Sequence, residues 1–273
     1  MLTLIPTPIG NIADITFRAL ELIKSCDLIL CEDTRVTKHL LQLLSNRYNL
    51  ELPNVDIVSF HEHNQESKLP HIKDALSKKS VLYLSDAGMP AISDPGQYLV
   101  EYCQKEEIEY DILPGASAAP LVYAASGFDS GRFYFYGFLP KKGKERGSEL
   151  VKILDLGIDT IIYEAPHRIE KLANELAKID KNIEIFAAKE LTKRYQRYFR
   201  GKVEEFVQFL QKNSTKGEWA VVVKPNNGAI DMQVTLQDIL DLDIPPKPKA
   251  KLLAKATGKS IKECYEELKK SKF

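Results

Sequence analysis

The chain is short of the features that mark membrane, secreted or nucleotide-hydrolysing proteins. Its 38 Lys+Arg balance 38 Asp+Glu, so no global field draws it to a polyanion or a lipid surface. It has only four cysteines, Cys26, Cys31, Cys103 and Cys264, and none are in CxxC spacing; they read as reduced, mostly buried thiols, which excludes a disulfide scaffold and a cysteine zinc centre. No apolar run approaches the roughly 18 residues of a membrane span, and the opening Met1-Leu2-Thr3-Leu4-Ile5-Pro6 lacks the basic flank of a signal peptide. The expectation is a cytoplasmic protein with no membrane partner. Neither GxGxxG nor GxxxxGK[ST] occurs, which removes a dinucleotide Rossmann site and a P-loop. His61-Glu62-His63 alternates histidines as a metal site can, but no further ligands stand nearby at ligand spacing, so a polar loop facing a cleft is expected and no metal.

What is present describes an ordinary globular protein: 273 residues, 44% hydrophobic and 28% charged, long enough for two domains and an appendage. The balanced charge is unevenly spread. Residues 1–114 carry 10 Lys+Arg against 17 Asp+Glu, residues 115–226 carry 19 against 14, and residues 227–273 carry 9 against 7. These ranges are the expected N-terminal α/β domain, second α/β domain, and linker with a helix-turn-helix-like tail. A basic excess confined to the later part suits a polyanion met by one face only.

The chain is organised around Val81-Leu82-Tyr83-Leu84 and the loop that follows, Ser85-Asp86-Ala87-Gly88-Met89-Pro90-Ala91-Ile92-Ser93-Asp94-Pro95-Gly96. A short buried strand feeds twelve residues rich in Gly, Pro, Asp and Ser, longer than a plain strand-helix turn needs. Such a loop at a strand's carboxyl end brings rigid backbone amides to a ligand. Strands at 2–5, 27–31, 56–60, 81–84 and 109–112 alternate with helical segments, which predicts a mostly parallel sheet covered on both faces. Pro6-Thr7-Pro8-Ile9-Gly10-Asn11 is a rigid first loop; Thr16 caps the first helix, and Glu32-Asp33-Thr34-Arg35 follows the second strand, with Asp33 or Thr34 as the next cap. Pro114-Gly115-Ala116-Ser117-Ala118-Ala119 opens a helix with small residues and free amides, a pocket for a polar group or simply close packing.

In the second half, an aromatic strand, Arg132 to Tyr136, runs into Gly137-Phe138-Leu139-Pro140 and the basic loop Lys141-Lys142-Gly143-Lys144-Glu145-Arg146. Thr160-Ile161-Ile162-Tyr163 leads into Glu164-Ala165-Pro166-His167-Arg168, where Pro166 is placed to begin a helix and Glu164 to cap it. Residues 189–202 hold six basic residues against one acidic, interleaved with Tyr195, Tyr198 and Phe199. Cations that track phosphates and aromatics that stack on bases make this the strongest nucleic-acid signal, against the plainer reading of a basic edge hairpin. Trp219 to Val223 closes the unit as a buried strand. Beyond the break at Asn226-Asn227-Gly228 come a short helix over 235–242, a proline linker at 244–248 and two helices joined at Thr257-Gly258-Lys259, the last opened by a Ser260 to Glu263 capping box.

Taken together, the first-loop motif, Cys31-Glu32-Asp33-Thr34-Arg35, Ser85-Asp86-Ala87-Gly88 with Ile92-Ser93-Asp94-Pro95-Gly96, Pro114 to Ala118, Gly137 to Pro140, Tyr163 to Arg168 and Glu190-Leu191-Thr192-Lys193 resemble the small-subunit ribosomal RNA methyltransferase group of the tetrapyrrole (class III) methylases. The resemblance implies two α/β domains with an S-adenosylmethionine cleft between them, a homodimer, and methylation of a cytidine ribose 2′-hydroxyl in the decoding region of 16S rRNA. Cofactor contacts are expected at Pro8, Asp86, Ala87, Gly88, Ser117, Ala118, Tyr163 and Ala220. RNA contacts are expected at Lys141, Lys142, Lys144, Arg146, Lys193, Arg194, Arg197 and Arg200, assisted by the tail. A proton acceptor is expected at Glu32 or His167, with Arg35 and Arg168 orienting phosphates. Met89 and the pair Tyr195-Gln196 depart from the family pattern. A methylase of small tetrapyrroles is disfavoured because that branch has a Gly-rich first loop, and a non-catalytic assembly factor rests only on the basic segments.

Overall fold

The computed structural model describes residues 1–92, 94–225, 236–242 and 244–270. Two compact units result, Met1–Pro225 and Asn226–Phe273. In the first, β1 (Leu2–Ile5), β2 (Leu28–Cys31), β3 (Asp56–Ser59), β4 (Val81–Leu84) and β5 (Tyr110–Ile112) form one sheet in the order β3-β2-β4-β1-β5. Every pairing in it is parallel, as the alternation of strands with helical segments predicts. Side chains alternate across it. Ile5, Leu82 and Leu84 meet helices α1 (Phe17–Ser25) and α2 (Thr34–Tyr48), while Leu2, Leu4 and Tyr83 meet α3 (Gln65–Lys78) and α4 (Gly96–Lys105). The caps are local and legible: Thr16 Oγ1 accepts from Ala19 N at 3.2 Å, and Asp33 Oδ1 from Arg35 N at 2.8 Å.

Helix α5 (Ala118–Ser126) packs on a second, mixed sheet built from β6 (Phe133–Phe138), β7 (Asp159–Glu164), β8 (Glu184–Lys189), β9 (Arg197–Lys202) and β10 (Trp219–Lys224). Its order is β6-β7-β10-β8-β9, with only β6 and β7 parallel. The last strand thus lies between two earlier ones. Trp219, Val221 and Val223 face α7 (Ile169–Ile179) and α8 (Val203–Lys212), whereas Ala220 and Val222 face α5. Helix α6 (Lys144–Asp155) adds Leu150 and Ile153 to the α7 side. Helix α7 begins three residues later than Pro166 promised. Arg168 N closes a turn on Ala165 O at 2.9 Å first, and Glu164 caps nothing, being the buried last residue of β7.

In the second unit, α9 (Leu236–Asp241), α10 (Pro246–Thr257) and α11 (Ile261–Lys270) share a small core of Ile239, Ala250, Leu253 and Cys264. Of the proline linker, Pro246 to Pro248 form instead the first turn of α10, with Pro245 as its N-cap, where a proline removes only amides that have no helical acceptor. Ser260 and Glu263 form the expected capping box, with Glu263 N donating to Ser260 Oγ at 3.2 Å and Ser260 N to Glu263 Oε2 at 2.9 Å. The break at 226–228 lies outside the described residues.

Candidate functional site

The loop after β4 is fixed by the first loop of the chain. Thr7 and Gly88 exchange backbone hydrogen bonds of 3.1 and 3.0 Å, Thr7 Oγ1 donates to Ser85 O at 3.1 Å, and Ser85 Oγ donates to Gly88 O at 2.6 Å. Gly88 stands at φ +86°, a conformation that demands glycine, and a Cβ there would press on Ile9 Cγ2 at 3.1 Å. From the second sheet comes Glu190-Leu191-Thr192-Lys193. Asn11 N donates to Thr192 Oγ1 at 3.1 Å, and a Cβ on Gly10 would strike the Thr192 and Lys193 side chains. Two motifs far apart in sequence therefore abut.

Between these loops lies a cleft of about 480 Å³, the size of a small-molecule site. Asp86, Ala87, Gly88, Ser117, Ala118, Tyr163 and Ala220 line it, while Pro8 does not reach the wall and its neighbour Ile9 does. Met89, Phe138, Ala188, Leu191, Glu218 and Trp219 complete much of the rest. Ile9, Phe138 and Leu191 belong to motifs visible in the sequence; Ala188 and Trp219 carry no such signal, because a strand end reveals nothing about its neighbour two strands away. Burial pushes the Tyr163 phenol up to about 12, keeping it a neutral donor.

Glu32 and Asp94 line this cleft and also a second one of about 570 Å³, which runs past His61, Glu62, His63 and Glu101. Burial raises the carboxyls of Glu32, Asp86 and Asp94, and repulsion from neighbouring carboxylates adds to it at Glu32 and Asp86. Their bonding differs. Asp94 Oδ1 accepts from Ala91 N at 2.9 Å, Gly96 N at 2.7 Å and Tyr83 OH at 3.4 Å, so it builds the loop. Asp86 Oδ1 accepts from Asp33 N at 3.2 Å. Glu32 accepts only a long 3.4 Å bond from Asp86 N, which leaves it the freest base of the three. Among the described residues, no group of three or more His, Cys, Asp or Glu side chains is placed to hold a metal ion.

Three expected contacts belong elsewhere. Arg146 leaves the basic loop for the interior and is fully buried. Its Nε donates to Glu175 at 2.6 Å, Nη2 to Glu164 at 2.9 Å and Nη1 to Pro140 O at 3.1 Å, so it meets no phosphate. Arg168 Nη2 donates to Leu139 O at 2.8 Å and Glu164 Oε2 at 3.2 Å, and its Nε stands 2.7 Å from Glu164 Oε1 as an ion pair without hydrogen-bond alignment. Both arginines clamp the Gly137 to Pro140 segment to the end of β7. Lys193 is also committed, with Nζ 3.0 Å from Glu190 Oε1 and 2.8 Å from Glu218 Oε2. Arg35 is exposed and doubly bonded to Asp33, whose carboxyl that contact holds down to about 2; His167 is exposed and lines neither cleft.

Lys141, Lys142 and Lys144 are exposed, as are Arg194, which stacks on Tyr195, and Arg197, which donates to Asn213 Oδ1 at 3.1 Å. Arg200 divides itself between Ser126 O, Glu184 and the Phe128 ring. Gln196 accepts from Thr192 N at 2.6 Å and so closes the β8–β9 turn.

A family model, Tetrapyrrole (Corrin/Porphyrin) Methylases, matches residues 1–207. A Helicobacter pylori protein named ribosomal RNA small subunit methyltransferase I is 44% identical, covering 97% of this chain and 96% of its own length. The Thermotoga maritima protein of that name is 42% identical over 81% of this chain and 97% of its own. Among solved structures, a diphthine synthase superposes with TM-score 0.61 at 15% identity, over 81% of this chain and 89% of that one, and a cobalt precorrin-4 methyltransferase with TM-score 0.56 at 15%, over 81% and 93%. The solved structures establish the fold, and the sequence relatives the branch: the chain belongs to the tetrapyrrole methylases and, within them, to the small-subunit ribosomal RNA methyltransferase I group.

Proposed function

We propose that this protein transfers a methyl group from S-adenosylmethionine to the ribose 2′-hydroxyl of a cytidine in the decoding region of 16S rRNA, as a cytoplasmic homodimer acting on the small subunit. The carrying observation is Glu32, a carboxylate with raised proton affinity and almost no internal bonding, set where two clefts meet. When bound, S-adenosylmethionine supplies an electrophilic methyl on a sulfonium that is itself the leaving group. The residues present fit it. The Gly88 cradle would offer it close backbone, Ile9, Leu191 and Ala220 an apolar bed for an adenosyl group, and Asp86 a charge opposite to its cationic end.

The protein must then align nucleophile and donor, which contributes on the order of 7–11 kcal/mol, and accept the hydroxyl proton, which contributes about 10²–10⁴-fold. Glu32 takes the proton. His167 does not, because it stands outside both clefts. Arg146 and Arg168 keep Phe138 and the Lys141-Lys142-Gly143-Lys144 loop in place rather than touching RNA, leaving Lys141, Lys142, Lys144, Arg194 and Arg197 as the phosphate contacts.

The reading is tested by transfer of labelled methyl to purified small subunits lacking the modification, with the labelled nucleotide mapped. A ribose label on a decoding-region cytidine is expected; a label on a base, or on another nucleotide, overturns it. Gly88→Val loses cofactor binding in an equilibrium titration, and unchanged affinity in that variant would remove the first cleft as the donor site.

A further inference from the structure

Strand β6, at one edge of the second sheet, breaks its own alternation. Phe135 pairs with Ile161 and Gly137 with the next residue along, Ile162, so Tyr136 is an extra residue in a β-bulge that Gly137 permits at φ +79°. The bulge decides where Phe138 goes. Tyr136 lies on the α6 side, where its hydroxyl donates to Glu149 at 3.2 Å, and uninterrupted alternation would send Phe138 the same way. Instead Phe138 pairs with Tyr163 and returns to the face of Phe135, where Phe138 and Phe135 both meet Tyr163 edge to face, at 5.6 and 5.0 Å. Phe138 and Tyr163 there form part of the wall of the first cleft. Burial does not account for the change of face, because Phe138 is 60% exposed while Ala188, Leu191 and Ala220 of the same wall are buried. Its backbone is nonetheless held. The carbonyls of the next two residues, Leu139 and Pro140, accept from Arg168 Nη2 at 2.8 Å and Arg146 Nη1 at 3.1 Å. A ring fixed in this way loses little freedom when something lies on it.

Two flat groups could lie there, the adenine of the methyl donor or the base of the acceptor nucleotide. The chain beyond Phe138 distinguishes them. Lys141, Lys142 and Lys144 follow it closely and are exposed, so they suit a phosphate chain, which rRNA has and S-adenosylmethionine lacks. The apolar bed assigned to the adenosyl group is Ile9, Leu191 and Ala220, without Phe138. Resting on the function proposed above, we infer that Phe138 is the stacking platform for the base of the target nucleotide, which leaves the RNA stack to reach it while the lysines hold flanking phosphates. Glu32 lines the same cleft from the other sheet, so a base on Phe138 brings its ribose between the platform and the proton acceptor.

The test uses the full-length protein and unmodified small subunits reconstituted with 16S rRNA whose target nucleotide either carries its cytosine or is abasic with the ribose intact. On cytosine-bearing subunits Phe138→Ala and Phe138→Leu are expected to lower kcat/KM for methyl transfer by about 5- to 150-fold, the loss of one base–aromatic stack, and Phe138→Trp to stay within about threefold of wild type. On abasic subunits Phe138→Ala and wild type are expected to run within about twofold of each other, since nothing remains to stack. The ring is exposed, so these variants fold, and their cofactor affinity in an equilibrium titration is expected to shift by less than about twofold. A Leu variant as active as wild type, or an Ala variant as impaired on abasic subunits as on cytosine-bearing ones, overturns the platform. A fall in cofactor affinity that matches the fall in kcat/KM gives the ring to the donor's adenine, and an Ala variant of smaller mass than wild type in light scattering gives it to a contact between copies; either overturns the assignment alone. A wild type inactive on cytosine-bearing subunits overturns the proposed function itself.

Discussion

Glu32 and Glu164 follow and end strands of the two sheets, line the same cleft and have opposite fates. Glu164 accepts three hydrogen bonds, from Arg146, Arg168 and the Ala165 amide, whereas among the described residues Glu32 forms no ion pair. Glu32→Gln should therefore lower single-turnover methyl transfer at saturating RNA by about 10²–10⁴-fold; a loss under tenfold would leave positioning as the whole mechanism. The same raised proton affinity has a consequence for stability. A carboxyl whose folded value exceeds its unfolded one contributes stability below the ordinary carboxylate range and loses it as pH rises through the folded value. Ionised Glu32 is thus a burden at neutral pH. Thermal unfolding of Glu32→Gln should show a higher midpoint than wild type at pH 7, with the gain vanishing in acid; a gain that persists or grows there would contradict the burial argument.

Arg146 illustrates what one-dimensional reading misses. In Lys141-Lys142-Gly143-Lys144-Glu145-Arg146 it looks like another phosphate contact, yet its place one turn into α6 points it at Glu164 and Glu175, and only the packing of α6 on α7 reveals them. Removing one partner of a buried ion pair strands the other, at about 3–5 kcal/mol. Arg146→Ala should lower unfolding stability by that amount in urea titrations, and Arg146→Met by clearly less. Equal losses would show that volume, not stranded charge, dominates.

At the scale of elements, the first sheet was legible because short strand segments alternate with helical ones and α1 and α2 announce their caps at Thr16 and Asp33, whereas α3 and α4 have no side-chain cap. The second was less so. Trp219 to Lys224 reads as a buried strand, but nothing local tells that it divides β7 from β8, since that pairing depends on antiparallel partners far away in sequence. The abutment of Gly10-Asn11 on Thr192-Lys193 was invisible for the same reason. Strand β9 came out as the basic edge hairpin, its outward residues alternating with half-buried Phe199 and Gly201. An edge strand keeps unpaired backbone and a free row of side chains, so basic and aromatic residues there are available to a polyanion while they also discourage edge pairing. Each phosphate contact steepens the dependence of affinity on salt by about one unit of log–log slope. The pair Arg194→Ala, Arg197→Ala should flatten that slope for small-subunit binding by about two while sparing cofactor affinity; an unchanged slope would move the RNA surface off this edge.

At the scale of the whole molecule, the clefts, Glu32 as the proposed proton acceptor and the basic edge all reside in Met1–Pro225, and Asn226–Phe273 has its own small core. The Thermotoga maritima relative is covered over 97% of its length by 81% of this chain, about the share the first unit occupies, so a protein of that name manages without a full counterpart of both units. Residues 247–273 carry nine lysines against three glutamates, a charge pattern that adds sequence-independent affinity for phosphate and no chemistry. Ending the chain after Pro225 should therefore leave cofactor affinity and the rate at saturating subunit unchanged within about twofold, while raising the subunit concentration needed for half-maximal transfer, and more so at high salt than at low, where fewer phosphate contacts suffice. A truncated protein with a lost maximal rate would show instead that the tail completes the active site.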